Sequence, residues 1–268
     1  MTHSEQADPD VALSDTTLYF NNLYSTDDGE LNLTGTKDIL GRDMTANDIF
    51  EFELRESNEN FDENGTVLQT VRNNGKTITF NTVKIESEGT KFFIVKEKNA
   101  GQRIKGVTYD DTVYQIKVTA DDNDNGELVL DTVINKKGDP TSVSSLDFVN
   151  VYTADKTSAQ FKGYKSYNGV LDAGEKFTFE LLDSDRNVID TATAGKNEEF
   201  VFDAIEYTSA TPNIYTYSVR EVNGGDRIDG ITYSNTIYQI KVTVTDMLDG
   251  TLNAAVEYSD GVTVGPIN

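Results

Sequence analysis

The chain places a lysine, a glutamate and an asparagine, Lys37, Glu97 and Asn150, on strand faces that are otherwise apolar. In a β-strand, residues two apart share one face. The companions on these faces are Leu31, Leu33, Gly35 and Ile39 for the lysine, Phe93 and Val95 for the glutamate, and Leu146, Phe148 and Tyr152 for the asparagine. Because a buried polar group without a partner is costly, we expect the three polar side chains to meet inside a core.

Such a cluster has two interpretations, and strand parity alone favours the first, a buried Lys–Glu ion pair with the asparagine hydrogen-bonded nearby. The second is covalent. Burial disfavours charge, so the amine of Lys37 becomes a neutral nucleophile and the carboxyl of Glu97 becomes neutral and able to relay protons. A hydrogen bond from Glu97 to the carboxamide oxygen of Asn150 would make the carboxamide carbon electrophilic. Attack by the amine would then expel ammonia and leave a Lys–Asn isopeptide bond.

The chain contains two copies of one long unit. The segment "EKNAGQRIKGVTYDDTVYQIKVT" from Glu97 matches "EVNGGDRIDGITYSNTIYQIKVT" from Glu221 at 15 of 23 positions without a gap. Lys37 and Lys165 are 128 residues apart, as are Asn22 and Asn150. A period this long is a whole domain.

The second copy has its own inward lysine and glutamate, Lys165 and Glu221, but the offset places their acceptor beyond the printed sequence. Pro266, at the position of the phenylalanine, argues against Asn268 in that role. Conversely, "LYFNNLY" near the start resembles a closing strand with no unit before it, so Asn22 is an orphan acceptor. Missing sequence or a strand from another chain could complete the second copy, and both interpretations stay open.

Alternating strands separated by Asn-, Asp- and Gly-rich turns predict an all-β protein with two antiparallel sandwiches in series. The predicted organisation is a disordered lead-in (1–15), the closing strand of a preceding repeat (16–27), a first repeat (28–154), and a second repeat that lacks its last strand (155–268).

Composition excludes several classes of function. The net charge of −23 argues against nucleic acid and anionic membrane surfaces. No cysteine is present to form a disulfide, and the only histidine, His3, lies in the lead-in, so no His-based triad or zinc site is expected. "DDNDNGE" at 121–127 begins like a calcium loop but has Thr132 where the last ligand should be, which favours a hairpin turn. We predict no metal, no cofactor and no enzyme acting on an external substrate.

The motifs together resemble the streptococcal-type pilin isopeptide-linkage repeats of Gram-positive major pilins and surface adhesins. They are Gly-x-Lys in the first strand, "FFIVKE" and "YSVRE" in the middle, and "FVNVY" in the last strand. The resemblance implies an immunoglobulin-like fold with adjacent first and last strands. It also implies a Lys37–Asn150 bond with Glu97 as catalyst, and the same roles for Lys165 and Glu221.

The predicted function is therefore structural: a stalk or pilin segment, extracellular in a cell wall or pilus, hardened by self-made isopeptide bonds. Its partners would be neighbouring repeats or subunits of the same fibre. The alternative is an adhesin module that recognises a host protein or glycan. The secretion signal, sortase motif and basic tail usual in this family are not in the sequence, so we expect an internal fragment of a longer protein.

Overall fold

The structure is a computed structural model that describes residues 20–208 and 213–259. The predictions for the lead-in, for residues 16–19 of the closing strand and for Asn268 lie outside the described residues. The described residues form strands and connecting turns, which confirms the all-β prediction. None of their elements is a helix long and apolar enough to span a bilayer.

The first repeat is a sandwich of two five-stranded sheets. Its strands are β1 (Gly29–Leu31), β2 (Thr34–Leu40), β3 (Glu51–Ser57), β4 (Val67–Arg72), β5 (Thr77–Thr79), β6 (Val83–Ile85), β7 (Gly89–Glu97), β8 (Arg103–Ile104), β9 (Val107–Thr108), β10 (Val113–Asp122), β11 (Leu128–Lys136) and β12 (Leu146–Tyr152). One sheet has the order β11-β10-β7-β3-β4 and the other β5-β2-β12-β9-β8, while β1 pairs with β6. The first and last long strands, β2 and β12, are parallel neighbours.

Alternating side chains build the first core. Along β3, Phe52 and Leu54 point inward and are fully buried. Across the sandwich, Phe148 of β12 packs against Phe52 and Tyr114, with ring centroids 5.0 and 5.1 Å apart. The segment 123–127 forms the turn between β10 and β11, which confirms the predicted hairpin.

The second repeat has the same first sheet but a divided second one. Its strands are β13 (Thr157–Ala159), β14 (Lys162–Lys165), β15 (Phe177–Leu182), β16 (Val188–Ala194), β17 (Glu198–Val201), β18 (Ile205–Tyr207), β19 (Ile214–Glu221), β20 (Arg227–Ile228), β21 (Ile231–Thr232), β22 (Ile237–Asp246) and β23 (Leu252–Ser259). Strands β16-β15-β19-β22-β23 form a five-stranded sheet. Opposite it lie the separate ribbons β14-β17, β20-β21 and β13-β18. Each repeat has its own hydrophobic core, so the predicted tandem sandwiches are confirmed.

Candidate functional site

The three polar residues of the first repeat come from three strands. Lys37 lies on β2 and Asn150 on the adjacent β12, where Lys37 pairs with Phe148 and Asn150 with Ile39. Both side chains therefore point into the sandwich, one inward position apart. Glu97 ends β7 in the opposite sheet and reaches them across the core.

The glycine of the Gly-x-Lys motif allows β2 and β12 to pair closely. A Cβ atom at Gly35 would lie 2.1 Å from the backbone oxygen of Leu146. Any larger residue at position 35 would push β12 away from β2 and carry Asn150 with it. This clash explains why the motif has a glycine two residues before the lysine.

One carboxylate contacts both prospective reactants. Oε2 of Glu97 lies 3.1 Å from Nζ of Lys37, and Oε1 accepts a hydrogen bond from Nδ2 of Asn150 at 3.0 Å. All three residues have an exposed fraction of 0%. The structure thus brings together Lys37, Glu97 and Asn150.

Burial shifts both ionisable groups toward neutrality. Desolvation lowers the pKa of Lys37 below its ordinary value, and outweighs the attraction of Glu97, which acts the other way. Desolvation likewise raises the pKa of Glu97 against the opposing effect of Lys37. The amine also lies 4.9 Å from the ring centroid of Phe50, an apolar neighbour that keeps water away. Both shifts favour a neutral amine beside a protonated carboxyl.

A residue that the sequence analysis missed, Asp110, orients the asparagine. Its backbone N–H donates to Oδ1 of Asn150 at 2.7 Å and to Oε2 of Glu97 at 3.2 Å. Its carboxylate accepts from the N–H groups of Val149 and Thr112, which fixes the turn. The available signal was the turn "YDDT" directly before β10, inside the most strongly repeated stretch.

The expected hydrogen bond from Glu97 to the carboxamide oxygen of Asn150 was wrong. A backbone N–H can only donate, so the group that faces Asp110 must be the oxygen. The carboxyl of Glu97 therefore faces the nitrogen, which would be the leaving group if the amine attacked the carboxamide. In such a reaction the N–H of Asp110 would polarise the carbonyl, in the manner of an oxyanion hole.

The second repeat assembles only part of this cluster. Nζ of Lys165 lies 2.6 Å from Oε1 of Glu221 and 3.9 Å from the ring centroid of Phe177. The N–H of Ser234 donates to Oε2 of Glu221 at 2.9 Å, as Asp110 does in the first repeat. Within the described ranges, no asparagine side chain hydrogen-bonds to this pair. Asn22 is exposed at the other end of the chain.

The fold and this cluster define a tandem β-sandwich protein whose first repeat holds a lysine and an asparagine around one buried carboxyl. The chain belongs to the FctA family, described as the Spy0128-like isopeptide containing domain, whose model matches residues 33–153 and 161–266. Each matched segment contains one of the two lysine–glutamate pairs.

Solved structures similar to the chain include major pilins of Streptococcus pyogenes. A mutant of that pilin is 17% identical with a TM-score of 0.37, over 87% of this chain and 92% of its own. The T-13 major pilin is 17% identical with a TM-score of 0.35, over 88% of this chain and 97% of its own. These TM-scores are low, and the family assignment rests on the family model. The search of curated proteins found no significant relative.

Proposed function

We propose that the chain is a structural segment of a Gram-positive surface fibre, and that an isopeptide bond between Lys37 and Asn150 hardens its first repeat. The observation that carries the proposal is the single buried carboxyl of Glu97, with one oxygen on the amine and the other on the carboxamide. An ion pair needs only the first of these contacts. In the second, Nδ2 of Asn150 donates to Oε1, which places the carboxyl where it can return a proton to this nitrogen once the amine has attacked.

The two carboxyl oxygens of Glu97 have different roles in the proposed reaction. The neutral amine of Lys37 attacks the carboxamide carbon of Asn150, while the N–H of Asp110 stabilises the charge that develops on Oδ1. Oε2 of Glu97 accepts a proton from the attacking nitrogen, and Oε1 delivers a proton to Nδ2. The C–N bond to Nδ2 breaks and ammonia leaves. The products are one new amide, one ammonia and a regenerated carboxyl, so the step balances and happens once.

The bond would join the first and last long strands of one sheet. It closes a loop of about a hundred residues, for which the loop-entropy treatment of cross-links gives about 4–5 kcal/mol. Tension that enters through one strand could leave through the other along covalent bonds. Such a cross-link is not reducible, which suits a protein without cysteine.

Family membership supports the pilus role. The similar solved structures are major pilins, and we infer the same setting for this chain: extracellular, in a cell wall or pilus, next to other subunits or repeats of the fibre. We propose 28–154 and 155–268 as the repeats, with 16–27 as the closing strand of a preceding one. In this proposal the only reaction is the single self-cross-linking step. Recognition of a host ligand stays a prediction.

Intact mass tests the bond directly. The folded protein should weigh one ammonia less than its sequence, and a protease digest should yield a branched peptide joining Lys37 to Asn150. Glu97→Gln should fold but keep the full mass, because a carboxamide cannot relay protons. Glu221→Gln is the matched control and should leave the repeat 1 bond unchanged. An unmodified wild-type mass would refute the proposal, as would full bond formation in Glu97→Gln.

A further inference from the structure

The strand that carries the acceptor asparagine, β12, has a long strand neighbour on one side only. Residues 146–151 of β12 pair with β2. On its other side, β9 pairs with Val151 and Tyr152 at the end of the strand. Because alternate N–H groups of a strand point to the same edge, those of Asp147 and Val149 lie on this second edge, ahead of β9. These two backbone donors need partners of another kind.

Two side chains serve as these partners, and we call them the clamp. The hydroxyl of Tyr114 donates to the backbone oxygen of Asp147 and accepts from the N–H of Asp147, both at 2.7 Å. Oδ2 of Asp110 accepts from the N–H of Val149 at 2.6 Å. Both clamp residues come from the start of β10 and the turn before it. They hold the part of β12 that directly precedes the acceptor asparagine.

The carboxylate of Asp110 is fixed at both oxygens. Oδ1 accepts from the N–H of Thr112 at 2.8 Å, which closes a turn that aspartate favours, while Oδ2 holds Val149. The backbone N–H of the same residue donates to Oδ1 of Asn150 at 2.7 Å. Asp110 therefore joins the acceptor strand to the N–H that faces the carboxamide oxygen, and the two cannot separate unless the contact with Val149 breaks.

Tyr114 reaches β12 from the opposite sheet. Its exposed fraction is 0%, and its ring lies 5.1 Å from the ring of Phe148 at an interplanar angle of 73°. A buried tyrosine hydroxyl needs a hydrogen-bond partner, and the backbone of Asp147 supplies both a donor and an acceptor. The ring thus packs against an inward side chain of β12 while the hydroxyl holds the backbone of the same strand.

We propose that Asp110 and Tyr114 are positioning residues for the reaction between Lys37 and Asn150. The carboxylate and the hydroxyl take the place of a neighbouring strand and hold the carboxamide in line with the amine. The inference rests on the function proposed above. Both side chains act through the backbone of β12, and a displacement of about 1 Å at a reacting group can slow a reaction about 100-fold.

The charge of Asp110 has the opposite effect on the reaction. Desolvation lowers the pKa of Lys37, and the carboxylates of Glu97 and Asp110 act against it by raising that pKa. Removal of the charge at Asp110 would therefore leave more of the amine neutral and favour attack. A slower reaction after loss of this carboxylate would report lost positioning and not lost charge.

The second repeat shows which substitution isolates the clamp. Ser234 occupies the position of Asp110, and its backbone N–H makes the same contact to the glutamate of its repeat, Glu221, at 2.9 Å. Its hydroxyl accepts from the N–H of Thr236 at 3.3 Å. Serine thus supports the same turn, but it has one side-chain oxygen where aspartate has two. Asp110→Ser should keep the turn and lose the hydrogen bond from Val149.

The test measures folding and cross-linking as two separate rates. The full chain is made in a short pulse of cell-free synthesis and sampled over time. Protease resistance reports folding, and the intact mass of the denatured sample reports the loss of one ammonia. Asp110→Ser should fold at a rate close to that of wild type and cross-link about 10–100-fold more slowly, to the same final mass. Tyr114→Phe, which keeps the ring, should cross-link about 10-fold more slowly.

Two matched controls come from the chain's own variation between repeats. Asp111→Asn removes the neighbouring, exposed carboxylate of the same turn and introduces the residue type that Asn235 provides in the second repeat. Tyr238→Phe removes the equivalent hydroxyl in the second repeat, where the tyrosine is 41% exposed. Both variants should cross-link the first repeat at the rate of wild type.

Amide hydrogen exchange tests the clamp in the absence of the bond. In Glu97→Gln, which should fold but not react, the N–H groups of Asp147 and Val149 should be protected from exchange. Addition of Asp110→Ser should remove the protection at Val149. The N–H of Thr153, which donates to the backbone of β12's other neighbouring segment at Gly106, should stay protected.

The outcomes separate this inference from the proposed function. Cross-linking of Asp110→Ser as fast as that of Asp111→Asn would overturn the positioning role and leave the proposed function standing. Equal slowing of folding and cross-linking would do the same, because it marks a purely structural role. Unchanged protection at Val149 in Glu97→Gln/Asp110→Ser would also overturn the inference. A wild-type chain that keeps its full mass would refute the proposed bond itself, and the positioning role with it.

Discussion

The two repeats carry the same lysine, the same glutamate and the same turn N–H, and among the described residues only the first has a strand in the position of β12. With β12 in place, the Lys37 and Glu97 side chains are both 0% exposed. Without such a strand among the described residues, Lys165 is 10% exposed and Glu221 is 2% exposed. In the first repeat the last strand therefore brings an asparagine to the pair and also excludes the remaining water. In the reaction proposed above, strand closure and chemistry are coupled, because the last strand carries the acceptor.

The largest expected difference between the repeats is in stability. Lys37→Met and Lys165→Met each remove an amine, leave a buried glutamate and keep side-chain volume. Only Lys37→Met would also remove the proposed Lys37–Asn150 cross-link, so it should lose about 4–5 kcal/mol more, a shift on the order of 15 °C in one calorimetric transition. Equal shifts in the two variants would contradict a covalent bond in the first repeat.

The junction between the repeats gives the next largest effect. Gly106 and Gly230 have φ values of +79° and +84°, so alanine at either costs about 1–2 kcal/mol of backbone strain. Alanine at Gly106 also clashes with Gly250, which should add about 1–3 kcal/mol. Urea unfolding of dilute, monomeric protein measures the difference. Equal losses of stability in Gly106→Ala and Gly230→Ala would contradict the predicted clash with Gly250.

The tyrosine contacts at the two ends of the first repeat should differ in strength. Tyr152 is 4% exposed and donates to Asp246, so Tyr152→Phe should cost about 2 kcal/mol. Tyr24 makes the equivalent contacts but is mostly exposed, so Tyr24→Phe should cost less than about 1 kcal/mol. Urea unfolding of the two variants measures the difference. Equal losses of stability would contradict the expected contrast between the two contacts.

The smallest effect is a pH dependence that appears only when the bond is absent. In Glu97→Gln the amine of Lys37 stays free and buried, with its pKa below the ordinary 10.5. Between the folded pKa of Lys37 and 10.5, the unfolded state binds more protons than the folded state, so stability rises with pH. This gain in stability is complete above 10.5 and is lost as the pH falls through the folded pKa.

The free energy of unfolding of Glu97→Gln should therefore rise as the pH rises from the folded pKa of Lys37 toward 10.5, by at most about 1.4 kcal/mol per pH unit. Lys37→Met/Glu97→Gln, which has no amine at the site, supplies the baseline. A slope equal to that baseline would show that the pKa of Lys37 is not lowered.

Much of this arrangement could be predicted from alternation and repetition. Strand parity correctly placed Lys37, Glu97 and Asn150 inside the first core, because side-chain direction in a strand follows from position alone. Parity does not specify burial, since Tyr238 shares the strand position of Tyr114 but is 41% exposed, whereas Tyr114 is 0% exposed. Parity specifies a face, and burial of that face depends on a strand that is distant in sequence.

The sequence by itself determined the all-β class, the two repeats and the residue types that could react, since these follow from local periodicity and self-similarity. Only the tertiary structure decided which atoms face each other. Asp110 lies 40 residues from Asn150 in the chain, yet its N–H determines which end of the carboxamide faces Glu97. Likewise, the pairing of β2 with β12, whose residues are more than a hundred positions apart, is visible only in the folded sheet. Hydrogen-bond geometry between distant segments depends on how sheets stack and pair, and periodicity along one strand carries no information about its neighbour across the core.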